Sequence, residues 1–383
     1  MNGFDWQIGR VLGIPIKVHP SWFLVFGFVT WSLATGYLPE MVPGQTMARY
    51  WGMGGVASVL LFVSVLLHEL GHSYVAQRYH VPIAQITLFI FGGMAQMHRE
   101  PPGPRAEFLI AIAGPIVSFV LGVVLLALVS LAGPAPSHQA LVSLGLLLGS
   151  INVQLGLFNL IPGFPLDGGR MLRAGLWAWS GDFNRATQQA SLAGQGFGLA
   201  LGSLGAVLLI GSATGTIPGP LAANGGWILL IGAFLYMVAQ GSRRQAGLRA
   251  SLASVRVGEL MVQDVVTVTP ELSVQEAVDH YFLRHGYGGF PVVDDGRMVG
   301  MVTVREIQAA PQSLWPWRRV RDIMKPWSAA MEVSHDTPAI TALEQMTGEG
   351  QGRLVVVQEG RLVGLITRSG IKQFLQLRGR LGA

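Results

Sequence analysis

One short segment of the chain has the residue types and spacing of a hydrolytic metal site. It reads His68-Glu69-Leu70-Gly71-His72, two histidines four residues apart with a glutamate between them. On a helix with 3.6 residues per turn, such histidines lie on one face and can share one Zn²⁺. Zinc lowers the pKa of a bound water, and a neighbouring carboxylate can take its proton. We therefore expect His68 and His72 to be zinc ligands and Glu69 to be the general base.

A third ligand must come from elsewhere, because a catalytic zinc takes three protein ligands. The chain has no cysteine, so the ligand must be His, Asp or Glu. We nominate Asp167, since apart from Glu69 it is the only carboxylate near a predicted membrane segment that does not fall in a loop. An alternative stays open at this point: an aspartate before a helix that begins near Gly168 is also typical of an N-cap.

The motif lies in a strongly apolar part of the chain. Half of the residues are hydrophobic, 12% are charged, and the mean hydropathy is +0.46. This composition excludes a disordered chain and disfavours an ordinary soluble enzyme. A membrane helix needs about 20 apolar residues, and six stretches are candidates: residues 21–37, 53–74, 108–131, 141–160, 191–209 and 227–237. The last is short unless it starts near Leu221. Charged groups within such a stretch are unfavourable unless they are paired or bind a metal.

Basic residues are distributed unevenly among the connections between these stretches. Alternate connections carry Arg10, Lys17, Arg78, Arg99, Arg105, Arg170, Arg173, Arg185, Arg243, Arg244 and Arg249, whereas the opposite connections carry only Arg49. Because cytoplasmic loops are enriched in Lys and Arg, we expect a multi-pass protein of the cell membrane with both termini in the cytoplasm. The net charge of +5 is not gathered into one patch, so no nucleic-acid partner is expected.

The apolar part resembles the site-2 protease family of intramembrane zinc metalloproteases. The resemblance rests on an ordered set of segments: residues 14–19, residues 68–72, Phe91-Gly92-Gly93-Met94, Ala113-Gly114-Pro115 and residues 159–170. It implies that one zinc ion per chain is held by His68, His72 and Asp167, with Glu69 as the general base. It also implies that Asn159 orients the substrate or stabilises the developing oxyanion.

Residues 83–97 have the pattern of a β-hairpin that re-enters the membrane. A β-prone run, residues 86–91, ends at Gly92-Gly93. An intramembrane protease must hold its substrate extended, and a strand edge can pair with that extended chain. We therefore expect Phe91, Gly92 and Gly93 to bind the substrate, as the resemblance also implies for the equivalent loop. The alternative is a hairpin that only covers the active site.

The remainder of the chain contains a repeat. Val257-Gly258-Glu259-Leu260-Met261 returns as Val320-Arg321-Asp322-Ile323-Met324, with similar strands and helices after each segment. Such self-similarity indicates duplicated units that stack on one another. The repeat resembles a tandem pair of cystathionine-beta-synthase (CBS) domains, a regulatory module that often binds adenine nucleotides.

The two repeats differ at the position that the resemblance implies for ribose binding, a carboxylate three residues after a threonine. The first repeat has Thr303 and Glu306, whereas the second has Thr367 and Gly370. We therefore expect at most one adenine-nucleotide site, at Thr303 and Glu306. A pair of CBS domains that serves only structure, or that forms a homodimer, is the alternative.

These observations predict a polytopic α-helical membrane protein, with about six transmembrane helices and a re-entrant β-hairpin, followed by an α/β tandem CBS domain pair. The expected domains are a protease domain at residues 1–242, a linker at 243–256, and CBS domains at 257–312 and 318–376. We predict an intramembrane zinc endopeptidase that works in the lipid bilayer. It would hydrolyse a transmembrane segment of a membrane-tethered regulatory protein, and a nucleotide would modulate its activity.

Two other function classes are compatible with parts of the sequence. A CBS-regulated transporter or channel would use the histidines and Glu69 as a proton or ion relay. A non-catalytic membrane scaffold is disfavoured, because Glu69 and all three candidate ligands are present.

Overall fold

The computed structural model describes residues 5–132, 139–217, 224–358 and 361–381. The chain forms two compact units, Met1–Ala246 and Gly247–Ala383. The first unit combines long helices with a small sheet, and the second consists of two small α/β halves.

The described part of the first unit carries the long helices. They are α1 (Ser21–Ser32), which continues through a π-helical turn (Leu33–Tyr37) into α2 (Leu38–Met41), then α3 (Met47–Arg78), α4 (Pro104–Ala132), α5 (Gln139–Asn159), α6 (Asp167–Ser180), α7 (Phe183–Ala213) and α8 (Gly225–Ala253). All but α6 supply the six candidate membrane spans of the described residues, with α1 and α2 counted as one. The predicted number of spans is therefore confirmed.

Several of these helices extend beyond the apolar stretches of the sequence. Helix α3 includes polar residues at both ends, and α8 continues past residue 237 to Ala253, which lies in the second unit. A helix satisfies its own backbone hydrogen bonds whether its side chains face lipid or water. Hydropathy therefore marked the apolar part of each helix and not its ends.

The first unit also contains a four-stranded sheet, which is larger than the predicted hairpin. Its strands are β1 (Trp6–Val11), β2 (Ile14–Val18), β3 (Ile83–Phe89) and β4 (Gly92–Met97), in that spatial order. Strands β2 and β3 run parallel, and the other pairs are antiparallel. The β-prone run thus forms mainly an interior strand, and β4 is the strand of the hairpin that lies at the edge of the sheet.

The sheet packs directly on the helix that carries the histidines. Ile14, Ile16 and Ile86 form one buried cluster with Leu70. Leu70 lies between His68 and His72 in the sequence. Burial of these branched side chains fixes the sheet beside the HExxH segment, which places β4 next to Glu69.

The second unit contains short elements in two similar series. The first series is α9 (Val257–Leu260), α10 (Val274–Ala277), a π-helical turn (Val278–Phe282), α11 (Leu283–His285), β5 (Gly289–Asp294), β6 (Arg297–Thr303), α12 (Val304–Ala309) and a 3-10 turn (Gln312–Leu314). The second series is α13 (Val320–Ile323), β7 (Lys325–Pro326), a 3-10 turn (Ala329–Met331), β8 (Glu332–Ser334), α14 (Ala339–Gly348), β9 (Arg353–Gln358), β10 (Arg361–Thr367) and α15 (Arg368–Leu381). Two sheets have the orders β5-β6-β7 and β10-β9-β8.

The sequence repeats exchange their first segments when they pack. Val257, at the start of the first repeat, belongs to the core of the second, and its N–H donates to Thr337 O at 2.9 Å. Val320, at the start of the second repeat, belongs to the core of the first, and its N–H donates to Leu272 O at 2.8 Å. Each hydrophobic core therefore needs residues from both repeats, which ties the two halves into one folding unit.

Candidate metal centre and active site

Two histidines of one helix and an aspartate that is distant in sequence converge at one buried point. His68 Nε2 and His72 Nε2 each lie 3.1 Å from Asp167 Oδ2, and the two Nε2 atoms are 3.2 Å apart. Each of the three residues is at most 9% exposed. Helix α3 supplies the histidines at i and i+4, and the first residue of α6 supplies the carboxylate.

The geometry of this cluster fits a zinc ion. Ligands at zinc–nitrogen and zinc–oxygen distances of about 2.1 Å in a tetrahedron lie about 3.4 Å from one another, close to the sides of the observed triangle. The chemistry of the donors fits as well. His72 Nδ1 donates to Ile110 O at 2.7 Å, so in the neutral imidazole Nε2 is an acceptor that faces another acceptor, Asp167 Oδ2. A cation between the acceptors removes that repulsion.

Helix α4 orients both imidazoles from the side opposite the cluster. Ser118 Oγ lies 2.9 Å from His68 Nδ1, and Ile110 O accepts the bond from His72. Such outer hydrogen bonds fix the ring orientation and the tautomer of a ligand histidine. Sequence reasoning did not identify Ile110 or Ser118, because a backbone carbonyl and a single serine carry no spacing signal.

Gly114 lets α4 approach the ligands. A Cβ atom at this position would overlap the imidazole of His72 and would lie 2.7 Å from His68 Nε2. Lack of space therefore explains why the central residue of the Ala113-Gly114-Pro115 segment is a glycine. Pro115 lies inside α4 and lacks the N–H that would bond the carbonyl of Ala111.

Asp167 does not cap its helix. The N-cap of α6 is Leu166, and its side chain makes no capping bond, whereas the Asp167 carboxylate points at the two histidines. The glycines that follow have a packing function, because a Cβ at Gly168 would overlap the carbonyl of Leu160, and one at Gly169 would overlap Gly163. This close approach holds the start of α6 against the connection that follows α5.

Glu69 is turned toward the edge strand. Its Oε2 accepts a hydrogen bond from Ala95 N at 3.2 Å. A Cβ at Gly93 would lie 2.6 Å from Glu69 Cγ, so the strand can approach only because residue 93 lacks a side chain. Gly93 thus contacts Glu69, a role that the sequence did not indicate.

The other predicted substrate-binding residues lie at the turn of the hairpin. Gly92 has a φ of +127°, which a residue with a side chain rarely adopts. The Phe91 ring stacks on Phe234 of α8, with centroids 3.9 Å apart and an interplanar angle of 18°. Phe91 therefore attaches the hairpin to α8.

Asn159 is not part of the cluster of three ligand atoms. It is the last residue of α5, and its amide Nδ2 donates to Leu155 O at 3.0 Å within the same helix. Its side chain is partly buried.

Thr303 and Glu306 meet in the second unit, in a helix cap. Thr303 is the N-cap of α12, and its Oγ1 accepts from Arg305 N at 3.2 Å. Glu306 Oε2 accepts from the N–H of Thr303 at 3.0 Å and from its hydroxyl. Nearby, Arg353 donates to Gly289 O, and burial lowers the pKa of its guanidinium. In the second repeat the hydroxyl of Thr367 accepts from Gly370 N at 3.0 Å.

Comparison with known protein families gives two matches along the chain. The model of peptidase family M50 matches residues 56–142 and 130–203. The model of the CBS domain matches residues 257–312 and 320–376. The first match contains the HExxH segment, Gly114 and Asp167, and the second contains both repeats.

Individual relatives match over nearly the whole chain. Zinc metalloprotease MJ0392 of Methanocaldococcus jannaschii is 34% identical, with 98% of this chain and 97% of the relative covered. Rip3 of Mycobacterium tuberculosis is also 34% identical, with 97% and 92% covered. Among solved structures, the site-2 protease from Methanocaldococcus jannaschii is 34% identical, covers 63% of this chain and 96% of its own, and has a TM-score of 0.42.

Proposed function

This chain belongs to peptidase family M50 and is a multi-pass membrane zinc metalloprotease of the site-2 type, and from that premise we propose that it cleaves a transmembrane segment of a membrane-tethered regulatory protein. The transporter alternative is not favoured, because relatives that align over nearly the full length include a zinc metalloprotease. The substrate of an intramembrane protease is itself a membrane protein, and the lipid bilayer is its medium.

We propose His68, His72 and Asp167 as the ligands of one zinc ion per chain. The convergence of their three possible ligand atoms within 3.2 Å of one another carries the proposal. Bound zinc supplies Lewis-acid polarisation at the scissile carbonyl and at the attacking water. Ile110 and Ser118 hold the imidazoles in the ligand orientation.

Glu69 is the proposed general base. Ala95 N–H holds one carboxylate oxygen of Glu69, so the carboxylate is fixed beside the edge strand. It would accept a proton from the attacking water and donate it to the nitrogen of the leaving peptide. Asn159, the last residue of α5, is the proposed donor to the substrate or the oxyanion, and it would exchange its bond to Leu155 O for that contact.

The proposed substrate site is the edge of β4 that faces away from β3, with which no other strand pairs in the described part of the chain. Strand β4 pairs with β3 along one edge, and an extended substrate can add to the other edge through backbone hydrogen bonds. Gly92 and Gly93 present backbone without bulky side chains there. Phe91 holds the tip of the hairpin on α8, which keeps β4 aligned with Glu69.

For the second unit we propose regulation by an adenine nucleotide at Thr303 and Glu306. The support is the match of both repeats to the CBS domain and the carboxylate three residues after the threonine, which the first repeat has and the second lacks.

The proposed domain limits are residues 1–242, 243–256, 257–312 and 318–376. We also propose a homodimer through the CBS domains, and a cell-membrane location with both termini in the cytoplasm.

Metal content tests the proposed site most directly. Elemental analysis of the detergent-purified protein should give about one zinc per chain, lost in His68→Ala and in Asp167→Ala. His98→Ala is the matched control, because His98 is an exposed histidine outside the cluster. Zinc retained in Asp167→Ala would remove that residue from the ligand set. Substrate flux into sealed liposomes that survives chelation would instead support a transporter.

A further inference from the structure

A fully buried carboxylate lies in the first turn of α4, away from the three ligand atoms. Glu107 is 0% exposed, although it precedes the apolar stretch at residues 108–131. It belongs to the helix because α4 begins at Pro104, before that stretch. A buried carboxylate requires a partner of opposite charge or several hydrogen bonds.

The partner is Arg173 of α6, which is 7% exposed. Arg173 Nε donates to Glu107 Oε1 at 2.9 Å, and Nη2 donates to the same oxygen. Arg170 Nε lies 3.9 Å from that oxygen as well. Both arginines had been counted among the basic residues of a connection, and Arg173 instead forms a buried ion pair between two helices.

Aromatic rings hold the guanidinium of Arg173 in place. Its Cζ lies 5.1 Å from the ring centroid of Phe164 and 4.7 Å from that of Phe183. Phe164 precedes Asp167 in the same connection, and Phe183 begins α7. The planar guanidinium is thus fixed by ring faces as well as by the carboxylate, a geometry that lysine cannot reproduce.

The ion pair joins the two backbone segments that orient the proposed zinc ligands. Glu107 lies one turn before Ile110, whose carbonyl accepts the hydrogen bond from His72. Arg173 lies in the same continuous helix as Asp167, the first residue of α6. A displacement between α4 and α6 would therefore move the Asp167 carboxylate relative to the histidines.

We propose that Glu107 and Arg173 are positioning residues of the zinc site, which set the distance between Asp167 and His72 by locking α6 to α4. A buried ion pair contributes little more to stability than apolar side chains of the same volume, so its geometric role is the distinctive one. Glu107 also offsets one of the two positive charges that Arg170 and Arg173 place beside the site for a divalent cation. This inference rests on the proposed zinc ligands.

The test compares zinc affinity with folding in the full-length protein. Arg173→Lys keeps the charge and removes the planar fork, and Glu107→Gln keeps the shape and removes the charge. The matched controls are Arg185→Lys and Glu40→Gln, which change exposed residues. Zinc affinity is measured by chelator competition in detergent, cobalt spectra report ligand geometry, and the Tm of the metal-free protein reports folding.

We expect both variants to bind zinc about 10–100-fold more weakly, with an altered cobalt spectrum, while the controls match the wild type. Unchanged zinc affinity in a folded Arg173→Lys variant would overturn the proposal, and so would failure of both variants to fold, which would assign the pair to folding alone. If only Glu107→Gln fails to fold, the zinc affinity of Arg173→Lys decides whether the proposal holds. Absence of zinc binding in the wild type would instead refute the proposed metal site itself.

Discussion

Asp167 in the first unit and Glu306 in the second are both carboxylates of recognised sequence motifs, but their surroundings are opposite. Asp167 Oδ2 faces two imidazole nitrogens at 3.1 Å, and one of those imidazoles already donates through its other nitrogen to a backbone carbonyl. Glu306 Oε2 faces two donors, the N–H and the hydroxyl of Thr303. The first carboxylate faces the acceptor nitrogen of His72, a repulsion that a bound cation would remove, whereas the second is satisfied by its own helix cap.

The difference shows how a motif becomes a site. At Asp167 two helices bring three possible ligand atoms together, and two of them, His72 Nε2 and Asp167 Oδ2, are acceptors that face each other. At Glu306 the threonine and the glutamate have the spacing of a capping box, in which each satisfies the other. Convergence of acceptors is therefore the stronger sign of a ligand, and a nucleotide at the second site has to compete with the cap.

The substitution Glu69→Gln separates proton transfer from metal binding at the converging site. We expect cleavage to fall by about 10²–10⁴-fold, because the amide cannot accept a proton, while zinc content stays that of the wild type. A cleavage assay with a transmembrane substrate in detergent or liposomes, alongside elemental analysis, measures both. Full activity in this variant would refute the assignment of Glu69 as the base.

The substitution Gly93→Ala tests the approach of β4 to Glu69. The new Cβ would lie 2.6 Å from Glu69 Cγ, so the carboxylate or the strand must shift. A shift of about 1 Å at a reacting group can lower the rate about 10²-fold, and we expect that loss with zinc retained. Gly55→Ala is the control, since no atom lies within 4 Å of its added Cβ. Equal activity of the two variants would contradict the contact.

The substitution Gly114→Ala disturbs the converging acceptors without changing any ligand. Because the added methyl would overlap the His72 ring, we expect zinc affinity to fall about 10–100-fold. Chelator competition measures this loss. Gly175→Ala, on α6 with free space around its Cβ, should bind zinc as the wild type does. Wild-type affinity in Gly114→Ala would show that the imidazoles can move away without loss.

The substitution Thr303→Ala should have the smallest effect of the four, because it removes only the helix cap that satisfies Glu306. Loss of an N-cap lowers the free energy of unfolding by about 0.5–2 kcal/mol, which thermal unfolding of the full-length protein can detect. Ser273→Ala is the control, because Ser273 and Glu276 form the same capping box on α10. Titration with AMP should then show weaker binding in Thr303→Ala only. Equal nucleotide affinity in the two variants would argue that the first repeat has only a structural cap at this position.

Local patterns predicted the parts of this protein that depend on neighbours in sequence. The HExxH spacing, the six apolar stretches and the repeat of the second unit were read correctly, because helix periodicity, hydropathy and self-similarity are local properties. The sheet was predicted only in part. Strand β1 is exposed along its whole length, and its apolar alternation stops after Ile8, which is too short to mark a strand.

The sequence by itself determined the spacing of His68 and His72, the membrane character of the first unit and the duplication in the second. Only the tertiary structure decided that Asp167 faces the histidines and does not cap a helix, that Gly93 and Gly114 are glycines for steric reasons, and that Glu107 is buried against Arg173. It also decided that the hydrophobic core of each CBS domain includes the first segment of the other repeat. The reason is physical: side-chain periodicity acts within one element, whereas contacts between residues distant in sequence depend on how complete helices and strands pack together.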